Sequence, residues 1–354
     1  MKAIIDKLNS GHRLEKDDIV YLYGCNDIFS IGQLAESINA RLNKNRVYYT
    51  VNRHINPTNI CVNRCKFCAF SRSENEEGAY ELSIEAILRQ LSGAVGSDSH
   101  LPYKELHIVG GLHPKWPFEY YLELISTIKK TYPYVYIKAF TAVEVDYMSS
   151  ISGLSLDDVL LKLKNNGLDM MPGGGAEIFS PKTRQRLCPE KISGKRWLEV
   201  HERAHLHGIK SNASMLYGHI ESFEDRAEHL LMLRNLQDKT GGFLAFIPLA
   251  FQPANTELNT HTGSGIDDLK NIAISRLVLD NFNHIKAYWV MLGEKISQTA
   301  LLFGANDIDG TIVDEKIGHS AGAVSAKALP VSILKHMIEK TNKIAVERDS
   351  FYKD

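Results

Sequence analysis

Cys61, Cys65 and Cys68 put three of the chain's five cysteines within eight residues, in the order C-x3-C-x2-C with Phe67 just before the last. Thiolates at this spacing can hold three corners of a [4Fe–4S] cube, which takes four cysteines when the protein ligates every iron. The fourth iron is then open to a small chelating molecule. Other readings compete. Positions i, i+4 and i+7 share one face of a helix, so the three could be a core stripe, but Asn56, Pro57, Thr58 and Asn59 signal a loop. A structural zinc site would want a fourth ligand at finger-like spacing, and Cys25 and Cys188 are both isolated. A disulfide framework suits neither a chain of this length nor an odd cysteine count. The residues favour the cluster.

Further groups that could do chemistry are spread along the chain. Gly110 and Gly111 allow a backbone to come close to a ligand, and Glu144 follows in FTAVEVD. Gly173, Gly174 and Gly175 precede Glu177, with Arg184 beyond; without a Lys-Ser/Thr ending the triplet is a weak phosphate loop. Asn212 and Ser214 share one face of a strand, Tyr217 and His219 the other. His219 is the one candidate acid or base, and His54, Asn56, Asn306 and Asp307 are further polar candidates. The match of His201-Glu202-Arg203-Ala204-His205 to a zinc-protease motif is refused. Arg203 stands where an apolar residue is expected, and the segment reads as an outer helix.

These residues need a scaffold that brings them together. Met1 to Arg46 reads as short helices, an extension before the main domain. From Val47 strands and helices alternate: Val47–Thr50, Glu105–Gly111, Tyr136–Phe140, Lys210–His219, Phe243–Phe251, Ile285–Leu292 and DIDGTIV are expected strands, and Leu168–Gly175 a strand plus loop. About eight βα units imply a parallel (β/α)8 barrel over 47–325, with its active site at the C-terminal strand ends. The cysteine loop, following the first strand, then lies at the mouth. Leu329–Glu347 is expected to be a closing helix, within a C-terminal extension over 326–354.

Composition excludes little but is consistent. With 44% hydrophobic and 23% charged residues the 354-residue chain has enough apolar mass for a core. Its formal net charge of -1, from 41 basic and 42 acidic residues, supplies no global field for nucleic acid or an anionic membrane. The N-terminus lacks the apolar core of a signal peptide, and no run reaches the length of a membrane span. A cytoplasmic protein is expected.

The stretches NRHINPTNICVNRCKFCAFSR, GGGAEIFSPKTR and SNASMLYGHIE resemble aminofutalosine synthases, radical S-adenosylmethionine (SAM) enzymes of the futalosine route to menaquinone. The resemblance runs from about Asn52 to about Ala321. Dehypoxanthine futalosine cyclases and deazaflavin (FO) synthase subunits share its N-x-C-x3-C-x2-C-A-F frame. It implies a [4Fe–4S] cluster on Cys61, Cys65 and Cys68, with SAM on the open iron and near Phe67, Gly110, Gly111, Glu144, Glu177 and Arg184. It further implies that a 5'-deoxyadenosyl radical adds to 3-[(1-carboxyvinyl)oxy]benzoate, giving 6-amino-6-deoxyfutalosine with loss of bicarbonate, at the expense of a low-potential electron donor. The alternative within the resemblance is a hydrogen-abstracting cyclase or FO-synthase-like enzyme. The two substrate carboxylates need cations or donors. His54, Asn56, Arg72, Asn212, Tyr217, His219 and Asp307 are the substrate candidates, Lys138 and Arg276 further cations, and Phe67, Phe70, Phe140 and Phe179 candidate walls. One departure stands out: many radical SAM enzymes carry Gly-Gly-Glu at the second strand end, where this chain has Gly110-Gly111-Leu112.

Overall fold

In the computed structural model, residues 1–93, 103–258, 260 and 263–353 are described. Ten strands are present among the described residues: β1 (Arg46–Thr50), β2 (Asn52–Ile55), β3 (Glu105–Ile108), β4 (Tyr136–Ala139), β5 (Met170–Met171), β6 (Lys210–Tyr217), β7 (Phe243–Ala250), β8 (His284–Ile285), β9 (Asp307–Gly310) and β10 (Ile344–Glu347). Strands β2 to β8 pair in chain order into one parallel sheet. Several of the intervening helices start on side-chain caps, as where Ser193 opens Gly194–Leu206 and Ser222 opens Phe223–Thr240. The latter helix stops on Gly241, whose left-handed backbone (φ 56°) a glycine adopts without cost.

Closure is made by β9. It bridges Lys286, just past β8, through Asp307, and the residues after it bridge β2 through Val313 and Arg53. The supporting bonds are Ala287 N–H to the Asp307 carbonyl and His54 N–H to the Val313 carbonyl, both 2.8 Å. Seven strands thus form a continuous curled sheet, and an eighth joins through single bridges.

Three elements differ from the sequence expectation. Val47–Thr50 is not the first barrel strand: β1 pairs with β10 and β9 in a separate three-stranded sheet, and β2, one residue later, begins the barrel. Ile285–Leu292 is a strand only at its start and turns into a short helix, Trp289–Leu292; an unbroken apolar run reads equally as buried strand or buried helix. The closing helix stops at Glu339, and Ile344–Glu347 continues as β10.

The strand β10 carries the chain end beneath the barrel, where it meets charge. Lys138 pairs with Glu105, both within 2% exposure. Arg348 donates to Asp307 at 2.7 Å and Ser350 to Glu105 at 2.8 Å, while Tyr352 reaches Asp307 at 2.6 Å. Lys286 lies 3.3 Å from Asp309. The cations hold the Glu105 and Asp309 carboxyls well below the usual carboxylate range despite burial. Removing one member of such a network strands the others. Arg348→Met is expected to cost about 3–5 kcal/mol. Lys104→Met, at the solvent-exposed 2.7 Å pair with Glu347, should cost less than about 1 kcal/mol. Urea unfolding of the two variants checks this, and equal shifts would contradict it.

Candidate active site

The cysteine loop follows β2 and is pinned by backbone bonds on several sides. Cys61 N–H donates to the Arg72 carbonyl (3.1 Å), Val62 N–H to Leu112 (3.0 Å) and Lys66 N–H to Leu187 (2.9 Å), while Gly111 N–H donates to Thr58 (2.9 Å). Asn56 fastens the entry by donating to the Val109 carbonyl at 2.9 Å. The contact with the β3 end is so close that a Cβ on Gly111 would lie 2.2 Å from the Ile60 carbonyl oxygen. A Cβ on Gly173 would likewise lie 2.6 Å from the Ala213 carbonyl carbon. Glycine is required at both places because the neighbour is backbone, which cannot rotate away.

Above the strands lies a cavity of about 290 Å³. Cys61, Cys65 and Cys68 line its mouth together with Phe67, Gly110, Gly111, Gly173 and Gly174; His54, His107, Lys138, Asn212 and Asp309 line its floor; Ile247, Leu249 and Met291 supply apolar wall. All five cysteines are free. Among the described residues no three His, Cys, Asp or Glu side chains converge as they would around one metal ion. A cube sets its thiolates farther apart than a single ion does, so three thiols around one mouth, with glycines that leave room beside them, suit a cluster better than zinc.

Two carboxylates flank the thiols. Glu144 lies in the helix Ala142–Ser152 and forms a capping box with Thr141. It accepts from Thr141 N–H (2.7 Å), Thr141 Oγ1 (2.8 Å) and Gly110 N–H (3.2 Å). Burial outweighs these bonds and pushes its carboxyl up to about 7. Glu177 holds an unusual positive φ of 46° and pairs with Lys191 at 2.7 Å. The Lys191 ammonium sits 5.1 Å over the Phe67 ring. Cys65 shares a hydrogen bond with buried Cys188, which together with burial pushes the Cys65 thiol up.

The cavity gathers His54, Phe67, Gly110, Gly111, Glu144, Glu177 and Asn212 from the sequence candidates, with Lys138 and Phe70. Others lie outside it and make their contacts elsewhere. Arg184 donates to the carbonyls of Ala176, Ile178 and Ile192 and so braces its own loop. Arg72 bonds the carbonyls of Ala69 and Ser71, and Arg276 those of Gly304 and Phe282. Asn56 is the staple described above. The Tyr217 hydroxyl donates to Asp268 at 2.7 Å. His219 pairs through Nδ1 with Glu221 at 2.8 Å and through Nε2 with the Leu216 carbonyl at 3.0 Å, which leaves no free ring nitrogen for acid or base work. Asp307 belongs to the network beneath the floor, and Asn306 accepts from Arg276 at 2.8 Å. Phe140 packs edge-on to Tyr121, and Phe179 stacks on His229 at 3.9 Å. His201 and His205 both meet the Ser211 hydroxyl, at 2.9 and 2.8 Å, in the layer outside the sheet.

His107, Lys191, Tyr288, Asp309 and Glu315 line the cavity without having been singled out. A signal existed for His107: polar residues alternate in Glu105-Leu-His107-Ile, an inward-facing pattern in a buried strand.

Family models match in two blocks, the radical SAM superfamily over residues 55–233 and the CofH/MqnC C-terminal region over 240–342. The chain belongs to the radical SAM superfamily. It is 42% identical to aminodeoxyfutalosine synthase of Thermus thermophilus, over 99% of this chain and 95% of that one. Identity to the Streptomyces coelicolor enzyme of that name is 40%, over 90% and 84%. A Methanococcoides burtonii 5-amino-6-(D-ribitylamino)uracil–L-tyrosine 4-hydroxyphenyl transferase is 39% identical over 92% and 91%. Among solved structures, methylornithine synthase aligns with a TM-score of 0.77 at 17% identity, covering 97% of each chain. The FeFe-hydrogenase maturase HydG of Carboxydothermus hydrogenoformans aligns at 0.74 and 16%, covering 100% and 80%. These two share the fold. Radical SAM membership carries a [4Fe–4S] cluster and SAM as cofactors. No helix among the described residues is long and apolar enough to cross a membrane.

The tight Gly111 contact is testable in this setting. In Gly111→Ala the new methyl must displace the Ile60–Cys61 backbone. Iron and sulfide bound after anaerobic reconstitution should fall, and SAM cleavage should drop by about a hundredfold, as expected for ångström-scale misplacement. Gly24→Ala, with nothing within 4 Å of its added Cβ, should leave both unchanged.

Proposed function

We propose that the protein adds the 5'-deoxyadenosyl group of SAM, with methionine leaving, to 3-[(1-carboxyvinyl)oxy]benzoate, the aryl group passing from the ether oxygen to the carbon that bore it and, with one water consumed, a carboxyl leaving as bicarbonate, to yield 6-amino-6-deoxyfutalosine. The observation that carries this reading is one continuous cavity from the three thiols to a polar floor, sized for a small aromatic ligand. The 40–42% identity to two aminodeoxyfutalosine synthases supports the choice of reaction.

Cys61, Cys65 and Cys68 are the cluster ligands in this reading, and the glycines beside them make room for SAM. When bound, cluster and SAM supply the electron and the adenosyl radical; the rest is binding, orientation and exclusion of water by the chain. Leu112 occupies the place of the carboxylate that many radical SAM enzymes offer to SAM's amino group. Glu144 takes that task, its carboxylate already bonded to Gly110 N–H. Lys191 and Glu177 form a buried pair beside Phe67 that keeps the mouth closed to water. The apolar wall shields the alkene, and His54, Asn212 and Lys138 face the anionic part of the substrate.

The deciding assay supplies the anaerobically reconstituted protein with SAM, a strong reductant and the enol-ether benzoate. An adenosylated adduct is expected; release of free 5'-deoxyadenosine without adduct defeats the reading. The 39% identity to a tyrosine-dependent transferase favours one second reading, which would consume tyrosine and the ribitylaminouracil under the same conditions. Consumption of dehypoxanthine futalosine would instead indicate the cyclase.

The role of Glu144 has its own test. The amino N–H of SAM is received best by the ionised carboxylate, and this carboxyl loses its proton near pH 7. SAM should therefore bind the cluster-loaded protein about tenfold more weakly at pH 6 than at pH 8, because the ionised fraction falls by that factor. Glu144→Gln should bind weakly at both. Anaerobic equilibrium dialysis reads the difference, and a flat wild-type profile would remove Glu144 from this role.

A further inference from the structure

The cavity floor is made by alternate residues of adjoining strands. The registers of β2, β3 and β4 set His54, His107 and Lys138 side by side in one row. The two imidazoles lie with ring centroids 4.5 Å apart. His54 Nε2 and Asn212 Oδ1 have no hydrogen-bond partner, although the two residues are only 5% and 2% exposed. Both residues line the cavity. Buried polar atoms left open in this way cost free energy unless a ligand meets them.

The floor has no cation to spare for that ligand. Lys138 is committed to Glu105, Lys286 to Asp309 and Arg348 to Asp307. Glu315 lines the same cavity and pairs with His319 at 2.8 Å. The remaining titratable neighbour, Tyr288, is held as a neutral phenol by burial. Burial pushes both His54 and His107 below their ordinary value, with Lys138 adding to the effect, so both rings are neutral at neutral pH. The three cations are thus matched by three carboxylates, and none of them is left over. A carboxylate placed on it brings an uncompensated negative charge into the interior, which is strongly unfavourable. A proton on the imidazole pair cancels that charge. Each neutral ring already supplies one N–H, and protonation adds a second donor.

We propose that His54 and His107 form a carboxylate subsite that takes up one proton as the ligand's carboxylate enters, the two adjacent rings, tilted at 43° to each other, sharing the charge. The choice of an aryl dicarboxylate as ligand rests on the function proposed above. The subsite itself rests on the open His54 Nε2, the His54–His107 contact and the committed cations.

The test is calorimetric. Anaerobic protein with its cluster oxidised and SAM saturating, so that Glu144 is engaged, is titrated with 3-(carboxymethoxy)benzoate. This saturated analogue keeps both carboxylates and lacks the alkene. In phosphate and Tris at pH 7.5 the apparent enthalpies should differ by about one proton taken up per ligand bound. Affinity should fall about tenfold from pH 7 to pH 8, as one-proton linkage requires. His54→Gln and His107→Gln should each bind more weakly and lose the uptake while keeping iron content and SAM affinity. Binding without proton uptake in the wild type, uptake retained in both variants, or failure of the analogue to bind each overturns the subsite. Adduct formation from the enol ether alongside no uptake would overturn this inference alone. Uptake with no adduct would leave the subsite standing and overturn the proposed reaction.

Discussion

Lys138, Lys286, Arg348, Glu105, Asp307 and Asp309 are buried where a parallel barrel ordinarily stacks branched aliphatic side chains, and each charge has to be met at atomic range because an unpaired interior ion costs several kcal/mol. That constraint reaches well beyond the barrel. The cation for Asp307 comes from Arg348, next to the end of β10, so the C-terminal chain must return under the barrel and pair with β1. The three-stranded sheet is therefore the device that delivers a charge to the base. It also explains why β1 is not a barrel strand: it is occupied on one side by β10 and on the other by β9.

Above this base the mouth is fixed by backbone rather than side chains. The cysteine loop exchanges main-chain bonds with the β3 end, with the segment around Arg72 and with Leu187. Gly111 and Gly173 remove the side chains that would hold neighbouring backbones apart. Such contacts leave the thiols little freedom to wander when unligated, which is the preorganisation that a site on a loop otherwise lacks. Arg184 contributes through its loop, where one guanidinium gathers three carbonyls that would otherwise be left open.

Much of the fold and the heart of the site could be read from the residues because their signals are local. The three cysteines, the paired glycines after β3 and the βα alternation each lie within a short span, so spacing alone carries them. Arg184, Tyr217, His219 and Asp307 could not be placed in that way. Their types suit ligand binding, but what each does is decided by how the folded chain presents its partner: Asp268 and Arg348 lie about fifty and forty positions away, while the carbonyls of Ala176 and Ile192 and the Glu221 carboxylate are near in sequence but brought into range only by the shape of their loops. Residue type states what a side chain can bind, not whether that capacity is already used. The β8 region failed differently, since Ile285–Leu292 is apolar throughout and has no period to separate strand from helix.

The same accounting of used and unused groups gives the cavity a direction. Thiols, glycines and Glu144 crowd the mouth; Ile247, Leu249 and Met291 offer no hydrogen bonds along the wall; open polar atoms return only at His54 and Asn212 on the floor. A ligand with an anionic end and an unsaturated end is sorted by this gradient. Its charge is excluded from the apolar wall by desolvation and finds a donor at the floor once the His54–His107 pair holds a proton. The unsaturated end is left against the wall, toward the thiols. Orientation then follows from where hydrogen-bonding capacity remains unspent, and the charge-balanced base that fixes the fold is also what keeps the floor from holding any anion without a proton.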